Sequence, residues 1–355
     1  MSLKKIVFVD QCLGGGGAER ILCTILRYLN SDEFEVHLVI ISNLGVFASL
    51  IPDNVIVHEL CVSRTSKSLF KFLKIIKKIN PVIVYSSLHR ITALLVVAKI
   101  IGRDKYSIVA RLPSLPSKEV SENNMSGWRL FLYRICYRFV TVVIAQTNEM
   151  ALDLRKVFKV NEDCILVINN PIDSAFIDEK SNFPVNSFTD SFINVVACGS
   201  LKKAKGYEFL LESFSIVVLE NKKFRLFILG EDVEDILPDL KSIVKKYNLD
   251  EFVVFTGHVD NPYAYLAHCD LYVLSSRWEG YPNSLVDAIY CGAPVIATKC
   301  NLSVEKIIDD NGGVLVEFGS HKNMANAILS FSSIKMNPLK MNNSIIEFEN
   351  LFKRL

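Results

Sequence analysis

The sequence predicts an α/β protein made of two doubly wound domains joined by a linker. Three observations carry this reading. Short apolar runs rich in Val and Ile recur along the chain, separated by longer segments with helical spacing. Runs of that kind suit strands buried on both faces of a parallel sheet. The rhythm breaks once, over 170–191, and then begins again. Finally, 355 residues exceed one ordinary core, so two domains of about 150–180 residues are expected.

In the first half the expected strands are KIVFVD (5–10), EVHLVI (35–40), NVIVHE (54–59), VIVYS (82–86), SIVAR (107–111), VTVVIA (140–145) and CILVI (164–168). The stretch 170–191, NPIDSAFIDEKSNFPVNSFTDS, is rich in Asn, Ser, Asp and Pro, which is linker composition. The second series is FINVVAC (192–198), FRLFIL (224–229), FVVFTG (252–257), LYVLS (271–275), PVIAT (294–298) and GVLVE (313–317). The expected division is therefore a first domain over 1–170, a linker over 171–191 and a second domain over 192–335. A last segment, 336–355, ends in NNSIIEFENLFKRL, whose helical apolar spacing suits packing back on the first domain. In open α/β sheets ligands bind beyond the carboxyl ends of the strands. Functional residues are accordingly sought just after each strand.

Composition narrows the class. Half the residues are hydrophobic and 22% are charged, the profile of a globular protein. A formal charge of +2 gives no bulk attraction to nucleic acid. The nine cysteines are scattered, with no Cys-x-x-Cys, and most sit in apolar runs, as buried thiols in a reducing compartment do. The six histidines form no close ligand pairs, so no metal is expected. Met1–Lys5 leads straight into a strand with no signal-peptide pattern, and no apolar run is long enough to span a bilayer. The expected place is the cytoplasm or the cytoplasmic face of a membrane.

After the first strand comes QCLGGGGAERIL. A dinucleotide fingerprint fails here twice, because Glu19 or Arg20 stands where the third glycine or alanine belongs. The second strand also ends in IISN, with no acid for a ribose. A dehydrogenase is disfavoured. The four glycines, Gly16 and Gly17 among them, still let backbone N–H groups approach a ligand at the start of a helix expected over 18–29. The plain alternative is a tight strand-to-helix turn.

The second half carries more chemistry. In CGSLKKAKGYEFLLESF, Gly199 turns the chain at a strand end and a helix is expected from near Gly206. Lys202, Lys203 and Lys205 crowd that turn, where a diphosphate would find cations and a helix N-terminus. Loop lysines are also commonly just solvated. More specific is SSRWEGYPNSLVDAIYCGAPVIAT. Glu279, Gly280, Tyr281 and Pro282 form a turn; Asn283 or Ser284 can cap the next helix, and Gly292 stops it. Asp287 lies one turn beyond Asn283 on the same helix face. Carboxylates accept pairs of hydrogen bonds from vicinal hydroxyls, so one acid suits a sugar and the other a ribose diol.

These segments resemble the retaining glycosyltransferases of family 4, which have the GT-B fold of two facing Rossmann-like domains with a cleft between them. The resemblance rests on GGGGAER (14–20), NNPID (169–173), GSLKKAKG (199–206) and EGYPNSLVDAIYCGAPVIAT (279–298). In that family an acid, seven residues and a second acid mark the donor site. The resemblance implies a nucleotide-sugar donor, UDP by the family's habit, held by Gly16, Gly17, Gly199, Ser200, Lys205 and the run Glu279–Leu285 with Asp287. It also implies retention of configuration, no metal and no cofactor. Glu279 would bind donor-sugar hydroxyls. Lys205 and the N–H groups from Gly280 to Ser284 would stabilise the leaving diphosphate, which itself can take the acceptor proton.

Two departures stand out. The second acid is usually Glu, and here it is Asp287; the ribose contact then needs a closer helix or an intervening water. An Arg usually follows the first glycine of the second domain, and here it is Ser200, leaving Lys202 or Lys203 to substitute.

On the acceptor side, His89 follows the fourth strand and Arg111 ends the fifth. A catalytic-site His occurs near the first of these in some relatives; a surface His opening a helix reads equally well. Relatives commonly extend lipid-linked, lipopolysaccharide, O-antigen or capsule glycans with hexosyl or N-acetylhexosaminyl units. SKSLFKFLKIIKKIN (66–80) and WRLFLYRICYRF (128–139) mix basic and apolar residues as interfacial helices do, or as basic helices covering their own sheet. The implied partners are a nucleotide sugar, a lipid-linked glycan and an anionic membrane surface, with no nucleic acid. The alternatives are a nucleotide-sugar epimerase and a non-catalytic subunit that binds glycan or a partner.

Overall fold

The computed structural model describes residues 3–63, 65–122, 125–339 and 343–355. The first part of the chain forms β1 (Lys4–Asp10), α1 (Gly17–Tyr28), β2 (Phe34–Ile40), β3 (Ile56–Glu59), α2 (Leu69–Ile79), β4 (Ile83–Ser86) and α3 (His89–Gly102). It continues through β5 (Ser107–Arg111), α4 (Pro116–Glu122), α5 (Gly127–Tyr137), β6 (Val142–Ala145), α6 (Asn148–Phe158) and β7 (Ile165–Val167). Then come α7 (Ser174–Ser181), β8 (Ile193–Cys198), α8 (Tyr207–Glu220), β9 (Phe224–Leu229), α9 (Leu237–Lys246), β10 (Val253–Gly257) and α10 (Pro262–His268). The chain closes with β11 (Leu271–Leu274), α11 (Asn283–Tyr290), β12 (Val295–Thr298), α12 (Leu302–Asn311), β13 (Val314–Val316), α13 (His321–Leu329) and α14 (Ser344–Arg354).

Each strand expected from the sequence forms, some trimmed at one or both ends. The strands make two parallel sheets, ordered β3-β2-β1-β4-β5-β6-β7 and β10-β9-β8-β11-β12-β13. The chain divides into two compact units, Met1–Ile172 with Asn342–Leu355, and Asp173–Met341. Both are doubly wound, and each has an apolar cluster on either face of its sheet.

In both sheets the order reverses beside the first strand, because β1 lies between β2 and β4 and β8 lies between β9 and β11. Such a switch point lets the two loops leaving adjacent strands diverge and open a crevice. In the first unit these loops carry the glycine run and His89; in the second they carry Lys205 and Glu279.

One expectation changes in detail. The stretch 171–191 is not an open linker throughout, since it holds α7. Asp173 caps that helix by accepting a hydrogen bond from the Phe176 N–H at 3.2 Å, and Ile177 is buried. Phe176 meets Tyr263 of α10 edge to face, which ties the helix to the second unit. Within the last segment α14 belongs to the first unit, where Phe352 packs edge-on against Phe8 of β1 and Phe34 of β2, whereas Met336 and Leu339 pack in the second unit. Lys340, Met341 and Asn342 lie outside the described residues.

Candidate functional site

The second unit builds its site from two loops that flank the β8/β11 switch point. Gly199, just past β8, has a φ of +151°, and a Cβ there would sit 2.9 Å from Lys205 Cε. Glycine thus lets the lysine stem lie against the turn. Gly206 has a φ of +61°, and its missing Cβ leaves room for the carbonyl of Ser275. Two bonds then fasten the loops together. The Ser275 hydroxyl donates to the Lys205 carbonyl at 2.8 Å, and the Arg277 N–H donates to the Ala204 carbonyl at 2.7 Å. Tyr207 OH donates to Gly199 O at 2.7 Å and closes the turn from below.

This framework brings Lys205 Nζ to 2.7 Å from Glu279 Oε1. The Ser276 hydroxyl donates to the same oxygen at 2.6 Å, and Asn301 Nδ2 donates to the Glu279 carbonyl at 2.7 Å. The lysine side chain keeps 21% of its surface exposed and the glutamate 10%. Burial works to lower the Lys205 pKa, but the Glu279 carboxylate outweighs it and holds the amine above its ordinary value. The site therefore contains a fixed cation next to a fixed anion.

Beyond Glu279 the chain turns through Gly280, Tyr281 and Pro282 into α11. Pro282 occupies the N-cap position, and no side chain caps the helix. The expected cap by Asn283 or Ser284 does not form, because the Ser284 hydroxyl instead accepts from Tyr272 OH at 2.8 Å. Within that first turn the Asn283 and Leu285 N–H groups donate to the Tyr281 and Pro282 carbonyls at 3.0 Å, and the Ser284 N–H is the group that makes no such backbone bond among the described residues and suits a ligand oxygen. Asp287 is buried within α11 at 6% exposure rather than lying on a solvated face. Leu285 sends its side chain into the core, so any part it takes in binding is through its backbone. Ser200 is half-buried beside Gly199, while Lys202 and Lys203 are exposed.

In the first unit Gly16 is the N-cap of α1 and Gly17 its first residue, again with no side-chain cap. His89 opens α3 but is buried, not a surface residue. Its Nδ1 lies 2.8 Å from Tyr137 OH and its Nε2 2.8 Å from Glu119 Oε2. Tyr133 and Phe158 crowd the ring. Arg111 is likewise buried, and its Nη2 donates to Asn170 Oδ1. Burial pulls its pKa below the ordinary guanidinium value, against the Tyr85 phenol, which works to raise it. Arg111 continues the sheet face of Val109, whereas His89 packs with the cluster on the other face. The two acceptor-side candidates thus lie at or just past the ends of adjacent strands and pack toward opposite faces of the sheet.

Sequence reasoning passed over Asp10 and Glu119. Asp10 ends β1 just before the glycine run, and burial raises its pKa to about 7, helped by Glu19 and opposed by the Gln11 N–H and Arg90. An acid closing an otherwise apolar strand was the available signal. Glu119 is separated from His89 by thirty residues, and only the fold joins them. Among the described residues no group of three or more His, Cys, Asp or Glu could hold a metal ion.

Comparison with known proteins adds to this geometry. Residues 15–176 match the profile described as Glycosyltransferase Family 4, and 193–333 match Glycosyl transferases group 1. The chain is 27% identical over 334 residues to the N-acetylgalactosamine-N,N'-diacetylbacillosaminyl-diphospho-undecaprenol 4-alpha-N-acetylgalactosaminyltransferase of Campylobacter jejuni, covering 91% of this chain and 88% of that one. It is 25% identical to the amylovoran biosynthesis glycosyltransferase AmsD of Erwinia amylovora, over 88% of this chain and 85% of that one. Among solved structures, HepE of Anabaena in complex with UDP and glucose superposes with a TM-score of 0.78 at 20% identity, covering 99% of this chain and 95% of that one.

Proposed function

Because the chain belongs to the family 4 glycosyltransferases and has their GT-B fold, we propose that it moves a sugar from UDP to a hydroxyl of a lipid-linked glycan, with retention and without a metal. The observation that carries the donor half is the Lys205–Glu279 pair at 2.7 Å beside the uncapped start of α11. A diphosphate brings negative charge to Lys205 and to the helix N-terminus, while its sugar brings hydroxyls to Glu279. Donor binding thereby exchanges one ion pair for two sets of contacts.

In this reading the bond between the sugar's anomeric carbon and the β-phosphate oxygen breaks as the acceptor oxygen bonds to the same face. The acceptor proton passes to the departing phosphate. Charge that builds on UDP is met by Lys205 and the Ser284 N–H at the start of α11, which are positioned before the reaction begins. Asp287 receives the ribose diol, directly or through a water. The acceptor family is that of surface polysaccharides: the similar Campylobacter protein is named for an undecaprenol-linked acceptor and the Erwinia one for amylovoran synthesis. The sugar is a hexose or N-acetylhexosamine, and the enzyme works at the cytoplasmic face of a membrane.

Calorimetric titration with UDP, GDP and NAD in EDTA tests the donor half. Binding of UDP alone, weakened in Lys205→Ala, is the expected result. No binding of any of the three would remove the reading. Proton NMR of the product's anomeric coupling decides retention.

A further inference from the structure

The helices α2, α3 and α5 cover one face of the first unit's sheet, and neighbouring members of the set touch. On α5 the inner side is supplied by Leu130, Tyr133 and Tyr137. Its outer side is apolar as well: Trp128, Phe131, Leu132 and Ile135 are exposed by 66, 60, 47 and 37%, and Phe139 just beyond the helix by 49%. Their spacing is that of one helical stripe. On α3, Val97, Ile100 and Ile101 repeat the pattern, and Phe70 of α2 is 82% exposed. Large apolar side chains exposed together on neighbouring helices point to an interaction site.

Charge identifies the partner. The three helices contain eight Lys or Arg and no Asp or Glu, in a chain with 40 cations and 38 acids overall. Lys74, Lys77 and Lys78 on α2 and Arg129 and Arg138 at the two ends of the α5 stripe are exposed. A second copy meeting this face about a two-fold axis would set cations against cations. An anionic bilayer meets both features at once: its headgroups pair with the Lys and Arg ring, and its acyl boundary takes the aromatic stripe.

We propose that the outer face of α2, α3 and α5 docks on an anionic lipid bilayer, with Trp128 and Phe131 entering the headgroup–acyl boundary. The proposal rests on the lipid-linked acceptor of the reading above. It adds the surface and the residues by which the enzyme reaches that acceptor.

The test is co-sedimentation of the full chain with vesicles of phosphatidylcholine containing about 30% phosphatidylglycerol, against phosphatidylcholine alone. Wild type is expected to bind the anionic vesicles and to be released by salt. Trp128→Ser with Phe131→Ser, and separately Lys74→Gln with Lys77→Gln and Lys78→Gln, should each lower partitioning by about tenfold or more. Circular dichroism, UDP affinity and transfer to a soluble acceptor should be unchanged in both. Equal partitioning of variants and wild type overturns the proposal. So does a wild-type dimer in solution that the Trp128→Ser, Phe131→Ser variant dissociates. Vesicle binding with no UDP binding would sink the donor reading alone, and the converse would sink only this one.

Discussion

Lys205 and Glu279 stand seventy-four residues apart in sequence and 2.7 Å apart in space, each held by the loop that carries the other. The lysine stem is seated by Gly199, and the glutamate oxygen is shared with the Ser276 hydroxyl. The two side chains therefore make separable predictions.

Lys205→Ala should weaken UDP binding by roughly tenfold to a hundredfold, since a charge-assisted contact to phosphate is lost. Glu279→Gln should leave UDP affinity within about threefold yet lower kcat/KM for transfer by roughly 10²–10³, because its contact is with the sugar and tightens in the transition state. Calorimetry with UDP beside steady-state transfer rates checks both. Equal losses in the two assays for Glu279→Gln would assign it to nucleotide binding instead.

Asp287 is read as the ribose acid. Wild type should prefer UDP to its 2′-deoxy counterpart by about tenfold, and Asp287→Ala should erase that preference while lowering UDP affinity by a similar factor. Competition between the two nucleotides measures it. A preference that survives in Asp287→Ala would remove the assignment.

Gly206→Ala places a Cβ against the Ser275 carbonyl at a φ of +61°. Its cost should be about 2–3 kcal/mol in urea unfolding of the second unit, with loss of UDP binding from the displaced Lys205 turn. Gly127→Ala is the control, because a Cβ there meets nothing within 4 Å.

Asp10 predicts a pH dependence. Its folded pKa of about 7 lies above the ordinary 3.8, so the fold favours the protonated acid. That contribution is fully present below the ordinary value and is lost as pH rises through about 7. Asp10→Asn keeps an acceptor for the Gln11 N–H and removes the titration. Relative to wild type it should gain on the order of 1–3 kcal/mol between pH 5 and pH 8. Parallel stability curves for the two proteins would refute this.

The fold was legible because parallel strands buried on both faces, such as KIVFVD and FRLFIL, read as short apolar runs that recur between longer helical segments. The loop from Glu279 to Asp287 stood out as a candidate site for a different reason: two acids bracket a Gly-Tyr-Pro turn just past a strand, and both prove to be buried. The helix in 174–181 was not legible, because its cap and its contact with Tyr263 lie inside a composition typical of loops. The surroundings of His89 were hidden as well. Local sequence shows a histidine at a helix start, whereas its burial comes from Glu119, Tyr133, Tyr137 and Phe158 on three later helices. Spacing in 128–139 showed a helix but not its orientation, since both its faces are apolar.

The placement of α14 has a consequence for biosynthesis. Phe348, Leu351 and Phe352 complete the core beneath β1 and β2, yet they are translated roughly 170 residues after the rest of that unit. At about 5–20 residues per second, the ribosome leaves this apolar pocket uncovered for roughly ten to thirty seconds. The second unit can close on its own contiguous segment during that interval. The unit begun first is thus the one finished last, and for that time its uncovered apolar surface is open to aggregation.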